Sequence, residues 1–482
     1  MNCDVDPPGD AAAIDPSARP GLAELPAELL GCVSDPSGGL LVIVTGGGSS
    51  VEWPTGLSSG AVYSEMAFNA LVSDTLLKHE DCANPKDLSV LADAVFDAYG
   101  SQAHLTHRLP RASWRNASPN EGHRIAAALL IDGVVRSIVT LNYDMAFQTA
   151  LSELGAPTQV TIAKGPEDHS RLSGRSLIYL HRSAESDPET WVLRKADLDH
   201  GWQDGWEAMT AAGFLSAPFT IFAGLGSPAA VLTETVSRLA GLGSTYYLAD
   251  PSRGGDFELA LTDHLSGVLE MGWVALMRKV SVRASGAHAK ELEMSARSRA
   301  AAIGISADGV ETIFDTLGGL GIVGLGQLRS AWLLHDRKYC PREGTTQAAH
   351  LSDLVLMLNS AAQTLDADLE IDESGACRVF LRESQRSIPV QCVHAMGLHN
   401  SAEVLSRLEM RNVQRVGSTR PRVVIAAGLV PDVNGLPGDL VEGDADTHDL
   451  VRGPDSVLVL NALDVTTTLR GDRDRLLDRL VS

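Results

Sequence analysis

The sequence predicts an α/β protein built on a parallel sheet with helices on both faces, followed by a helical connector and a second, smaller α/β domain. Three observations predict it. From about 36 to 280, short apolar runs alternate with amphipathic stretches, and strand–helix alternation implies a parallel sheet covered on both sides. From 281 to 345 the pattern is helical. From 346 the order changes to helix, three strands, helix, two strands. The length of 482 residues exceeds what one hydrophobic core usually serves.

In chain order, "GLLVIVTGGGSS" is a strand running into a glycine turn, and "VYSEMAFNALVSDTLL" and "DLSVLADAVFDAY" are helices. "RSIVTLN", "GRSLIYLH", "FTIFAGLGS" and "STYYLAD" are further strands, which makes the region Rossmann-like. "AHAKELEMSARSRAAAIG" and "GLGQLRSAWLLHDR" form the connector. "AAHLSDLVLMLNSAAQTL" then precedes a hairpin, "ADLEIDESGACRVFLRES", before "SIPVQCVHA", the helix "SAEVLSRLEMRNV" and two last strands. The expected division is a flexible leader at 1–35, the parallel-sheet domain at 36–280, the connector at 281–345 and the C-terminal domain at 346–482.

Hydrophobic residues make up 44% and charged residues 21%, an ordinary soluble composition. No apolar run approaches the ~18 residues of a transmembrane helix, and the acidic, Pro-rich start lacks a signal peptide's pattern. A cytoplasmic protein with no membrane role is expected. The net charge of -22 argues against a general phosphate-binding surface, because nucleic-acid affinity rests on Lys and Arg displacing counterions. Arg108, Arg111, Arg115 and Arg124 are either a local basic patch or a solvated loop. The six cysteines make no C-x-x-C pair and read as buried thiols.

Several segments carry chemistry. Gly46-Gly47-Gly48-Ser49-Ser50 follows the first strand, where open α/β sheets bind ligands; a tight turn without ligand explains it too. Ser118 with Glu121 predicts a capping box, with Pro119 in the first helical turn and His123 a structural helix residue. Asn142 and Asp144 end a buried strand. They either face a ligand cleft or form an Asx turn at the next helix.

Taken in order, "GGGSS", "PNEGHRIAAAL", "VTLNYD", "IYLHRSAESDPETWVLRKADL" and "FAGLGS" resemble the sirtuin-like NAD-binding family, most of all its bacterial antiphage-defence branch. The resemblance covers about half the chain. The family's Gly-Ala-Gly-x-Ser loop matches Gly46 to Ser50, its Thr-x-Asn-x-Asp strand end matches Thr140, Asn142 and Asp144, and its Leu-His-Gly strand end matches Leu180-His181, with Arg182 for the glycine. Its late loop matches Gly224-Leu225-Gly226-Ser227, without the usual aspartate after the serine. Glu52-Trp53-Pro54 stands for Gly-Ile-Pro, and the zinc cysteines of the protein deacylases are absent, which counts against deacylation.

The resemblance implies an NAD hydrolase that releases nicotinamide and ADP-ribose when triggered, with NAD as substrate, no metal, and control by a homo-oligomer or a defence-operon partner. It implies Asn142 and His181 as catalytic residues. Histidine has a reference pKa near 6.5, suited to a general base. It implies Gly46, Gly47, Gly48, Ser50, Asp144, Gly224, Gly226 and Ser227 as NAD-binding residues. The alternative is a catalytically inactive module that binds NAD or ADP-ribose, or serves assembly. The C-terminal order resembles the restriction-endonuclease-like fold, with Gln391 where a metal-binding glutamate would stand and Val393 where a lysine would; His394 and His399 lie five apart near Cys392.

Overall fold

The computed structural model describes residues 21–35, 38–155, 160–172, 174–199, 205–303, 306–334, 345–371, 377–395, 401–414, 423–428, 457–462, 465 and 469–481. Its first half contains α1 (Ala27–Ser34), β1 (Leu41–Thr45), α2 (Gly60–Ser73), α3 (Leu88–Tyr99), α4 (Ala103–Thr106), α5 (Arg111–Arg115), α6 (Glu121–Asp132), β2 (Val135–Thr140), α7 (Ala146–Glu153), β3 (Thr161–Ala163) and β4 (Ser176–Tyr179). Then come α8 (Lys195–Asp199), α9 (Trp206–Leu215), β5 (Phe219–Ala223), α10 (Ala230–Leu239), β6 (Thr245–Ala249), α11 (Asp256–Leu261) and β7 (Gly267–Leu269). These seven strands form one parallel sheet in the order β3-β4-β2-β1-β5-β6-β7.

β1 shows why helices cover both faces. Successive strand side chains point to opposite sides. Leu41 and Ile43 enter one core, with α6 and α7; Val42 and Val44 enter another, with α9, α10 and α11. All five β1 residues are buried, as an uninterrupted apolar run requires. α6 is apolar from Ile125 to Ile131, and it packs against β2, α7, α12 and α14. It stops at Gly133, which takes the left-handed conformation (φ 81°) that glycine adopts without a Cβ clash.

The remaining elements are α12 (Trp273–Ile303), α13 (Val310–Gly319), α14 (Gly321–Trp332), α15 (Thr345–Leu365), β8 (Ala367–Ile371), β9 (Cys377–Leu381), β10 (Arg386–His394), α16 (Ser401–Gln414), β11 (Val423–Ala427), β12 (Leu458–Asn461) and α17 (Arg473–Val481). The second sheet has the order β12-β11-β10-β9-β8, parallel from β10 to β12 and antiparallel from β8 to β10. This is the helix, three-strand, helix, two-strand order read from sequence.

Two features were not legible. α12 runs unbroken through positions 280 and 281, because its buried face passes from the first core (Leu276, Met277, Val280) to the second (Leu292, Ala296, Ala300). Within the stretch read as leader, α1 buries Leu29, Cys32 and Val33, and Leu22 bridges to Leu269; residues 1–20 lie outside the described residues. Among the described residues no helix is long and apolar enough to cross a membrane.

Candidate functional site

Register brings the predicted segments to one edge. Thr45 pairs with Thr140 on one side and with Ala223 on the other, and Thr140 pairs with Tyr179. The loops that follow these four strand ends carry Gly46–Gly48, Asn142–Asp144, Gly224–Ser227 and His181. The chain fills the sheet from β1 toward β3 on one side, then crosses to β5 and continues outward. The carboxyl ends of β1 and β5 therefore flank a topological switch point, where such sheets leave a crevice.

The glycines divide into two kinds. Gly48 donates its amide to the Gly224 carbonyl at 2.9 Å, and Gly46 donates to Ala223 at 3.0 Å. A Cβ on Gly48 would lie 2.7 Å from the Gly224 Cα; one on Gly224 would lie 2.5 Å from the Ser49 nitrogen, at a backbone φ of +67°. Gly46, Gly48 and Gly224 thus pack two loops backbone to backbone. A Cβ on Gly47 or Gly226 would meet nothing within 4 Å. Both are exposed, as is Ser227, and this is where a ligand has room.

Two buried hydroxyls sit between the loops. The Asn142 side-chain amide donates to Ser49 Oγ at 3.2 Å and Ser50 Oγ at 3.1 Å. Ser49 Oγ donates to the Gly46 carbonyl at 2.9 Å, and Ser50 Oγ donates to Asp144 Oδ2 at 2.8 Å. Asp144 Oδ1 accepts from the Ala146 amide at 3.0 Å. Asp144 therefore makes the Asx-type turn at the start of α7 and also holds the glycine loop. Burial raises its carboxyl above the usual carboxylate range, against hydrogen bonds from Ala146, Ser50 and Asn142 that lower it.

His181 is half-buried one strand from Asn142, its ring 6.5 Å from that of Tyr143. Burial, then the neighbouring Arg182 charge, lowers its pKa to about 3, against a backbone hydrogen bond at Leu141. The reference value near 6.5 does not hold here. The ring is neutral at physiological pH, but a base this weak lies far from the proton affinity that general-base catalysis favours. Arg182 does not crowd the histidine. Its guanidinium turns away to Glu207 Oε1 at 2.6 Å.

α6 starts two residues later than Ser118 and Glu121 predict. Asn120 is its N-cap: its Oδ1 accepts from the His123 amide at 3.1 Å, and its own amide donates back to His123 Nδ1 at 3.3 Å. Asparagine caps as well as serine does. Asn120 Nδ2 also donates to the Ser49 carbonyl at 2.8 Å, so the one side chain caps the helix and holds the glycine loop. Asn120 and Ser49 are the site residues that sequence reasoning missed; the cap-forming residue type at 120 was the available signal.

The four arginines form no basic patch. Arg111 and Arg115 donate to the Ala184 carbonyl at 2.7 and 2.9 Å and so brace the loop after His181; Arg108 pairs with Asp74, and Arg124 with Glu153 at 2.7 Å. A cavity of about 540 Å³ opens beyond Arg182, lined by Phe96, Lys164, Trp191 and Glu207 among others, and not by Asn142 or the glycines. In the second domain Gln391 is buried and donates to the Ala331 carbonyl at 3.3 Å, and the rings of His394 and His350 lie 3.8 Å apart, tilted by 30°. His399 lies outside the described residues. The described cysteines, Cys32, Cys82, Cys377 and Cys392, are all buried thiols.

Among solved structures, the chain is similar to a Sir2 homologue in complex with NAD, at 18% identity and a TM-score of 0.37, over 56% of this chain and 98% of that one. It is also similar to a mutant Sir2 homologue in complex with ADP-ribose, at 18% identity and a TM-score of 0.33, over 55% and 98%. No family model and no curated protein matches the chain.

Proposed function

We propose that the chain is an NAD hydrolase, and, on the sequence resemblance, an effector of bacterial antiphage defence. The observation that carries the reading is the meeting of four loops at the switch point. There the Asn142 amide and the Ser49 and Ser50 hydroxyls lie beside Gly47 and Gly226, which face open space. In the reaction the bond between nicotinamide and the ribose C1′ breaks, water oxygen bonds to C1′, and a proton leaves; the products are nicotinamide and ADP-ribose. The transition state is oxocarbenium-like, as in other glycosyl transfers. Asn142 orients the ribose or the attacking water, the exposed glycines admit the pyrophosphate, and neutral His181 accepts a hydrogen bond from a ribose hydroxyl or that water.

The weak basicity of His181 favours a second reading, a module that binds NAD or ADP-ribose without turning it over. Nicotinamide release by the full chain, beside Asn142→Ala and His181→Ala, tests both. The hydrolase reading expects release that drops on the order of 10²-fold in each variant, the scale on which lost positioning of the reacting groups acts. Equal release by all three removes the assigned roles, and ADP-ribose binding without release decides for the second reading.

A further inference from the structure

Arg182 has φ +78°, in the left-handed region that residues with a Cβ rarely occupy. It stands directly after His181. Such an outlier persists only where its surroundings hold it. Here the guanidinium bonds Glu207, which is 1% exposed, and lies 5.3 Å from the Trp206 ring. Glu207 sits in the first turn of α9, where the helix dipole favours a carboxylate. The backbone is pinned as well. The Arg182 amide donates to Tyr179 at 3.2 Å, and the Ala184 amide donates to Tyr143 at 2.7 Å.

We propose that Arg182 and Glu207 are a positioning pair that clamps the turn carrying His181 and walls this strand end off from the adjoining cavity. Both residues line that cavity, and Arg182 directly follows His181 at the strand end. The inference rests on the hydrolase reading for its kinetic consequence and on geometry alone for the rest. Arg111 and Arg115 hold the Ala184 carbonyl just after the turn, and the other charged and titratable groups around it are engaged elsewhere. Tyr143 donates its phenol to Val192 at 2.9 Å, Asp144 holds Ser50, and Glu185 pairs with Lys164. Burial is the larger influence on His181, and the neighbouring Arg182 charge acts in the same direction.

The test uses the full chain with isotope-labelled histidine, and Arg182→Gly, Glu207→Gln and Arg182→Lys. Glycine adopts φ +78° freely, so the turn can form without its clamp. The His181 signal, assigned with His181→Gln, should stay unprotonated in the wild type at every pH where the fold holds. It should titrate at higher pH in Arg182→Gly, which loses both the clamp and the charge, and Arg182→Lys should restore part of the wild-type behaviour. Nicotinamide release should fall on the order of 10- to 100-fold in kcat with KM little changed, the scale on which small misplacements act. An unchanged His181 titration in folded Arg182→Gly overturns the proposal; should that variant not fold, Arg182→Asn, a residue type that tolerates a positive φ, decides in the same way. A wild type that releases no nicotinamide while the titration shifts as expected would sink the hydrolase reading and support the pair.

Discussion

Ser50 donates its hydroxyl to the Asp144 carboxylate at 2.8 Å, joining the loop after β1 to the loop after β2 across 94 residues of chain. The carboxylate is buried, so the bond matters most for what its loss leaves behind. Asp144→Ala strands the Ser50 hydroxyl and the Ala146 amide, at about 1–3 kcal/mol for unsatisfied buried groups. Burial raises the carboxyl's pKa, so the folded state holds a proton more tightly than the unfolded chain. That costs stability as pH rises from about the unfolded value through the raised one. The neutral, isosteric Asp144→Asn escapes this cost. Denaturant melts at pH 7 should place Asp144→Asn within about 1 kcal/mol of wild type and Asp144→Ala well below both. Equal losses in the two would show that charge, not hydrogen bonding, dominates there.

The two kinds of glycine predict opposite outcomes. Gly48→Ala and Gly224→Ala force a methyl into backbone 2.5–2.9 Å away, and Gly224 also has a positive φ. Overpacking of this kind costs typically about 1–3 kcal/mol, and it should spread the two loops and weaken ADP-ribose binding. Gly47→Ala meets open space and should melt like wild type. Should it nevertheless weaken binding, Gly47 approaches the ligand; a normal affinity there with a loss in Gly48→Ala would limit the glycines' role to loop packing.

The strands and the site loops were legible because both follow from short-range patterns. Apolar runs announce β1, β2, β4 and β5, and parallel register then brings Asn142, His181 and the glycines to one edge without further information. The missed features depend on contacts far apart in sequence. Nothing local says that Asn120 grips the Ser49 carbonyl, or that the buried face of α12 passes from one core to the other at positions 280 and 281. The low proton affinity of His181 was invisible for the same reason: burial comes from loops braced by Arg111 and Arg115, which look like surface charges in sequence.

His123 is fully buried against Phe147 and Trp273, and burial lowers its pKa to about 3. The unfolded chain, near 6.5, then binds the proton that the folded state refuses, so stability falls as pH drops from about 6.5 toward 3. Between pH 7 and pH 5 this amounts to about 2 kcal/mol for such a histidine. His181 and His394 add losses of the same sign. His123→Gln, which keeps a polar group of similar reach, should reduce the loss between pH 7 and pH 5 in urea melts. A variant as acid-sensitive as wild type would clear His123 of this role.

α6 links the site to the connector. Its first end carries Asn120, which holds the Ser49 carbonyl; its last residue, Asp132, receives Arg329 from α14 and lies 2.8 Å from His288 Nδ1 on α12, with all three side chains buried. Twelve residues make a rod of about 18 Å. Removing one partner of a buried ion pair costs about 3–5 kcal/mol because the other charge remains. Asp132→Ala should therefore destabilise strongly. It should also speed amide exchange at Ser49 to Glu52, the loop that Asn120 grips at the far end. Leu476→Ala, which empties a fully buried position on α17, is the control for general destabilisation. Faster loop exchange in Asp132→Ala than in a comparably destabilised Leu476→Ala means that α6 carries strain from connector to site. Equal exchange in the two means that the Asp132 cluster holds the helices together and does nothing more.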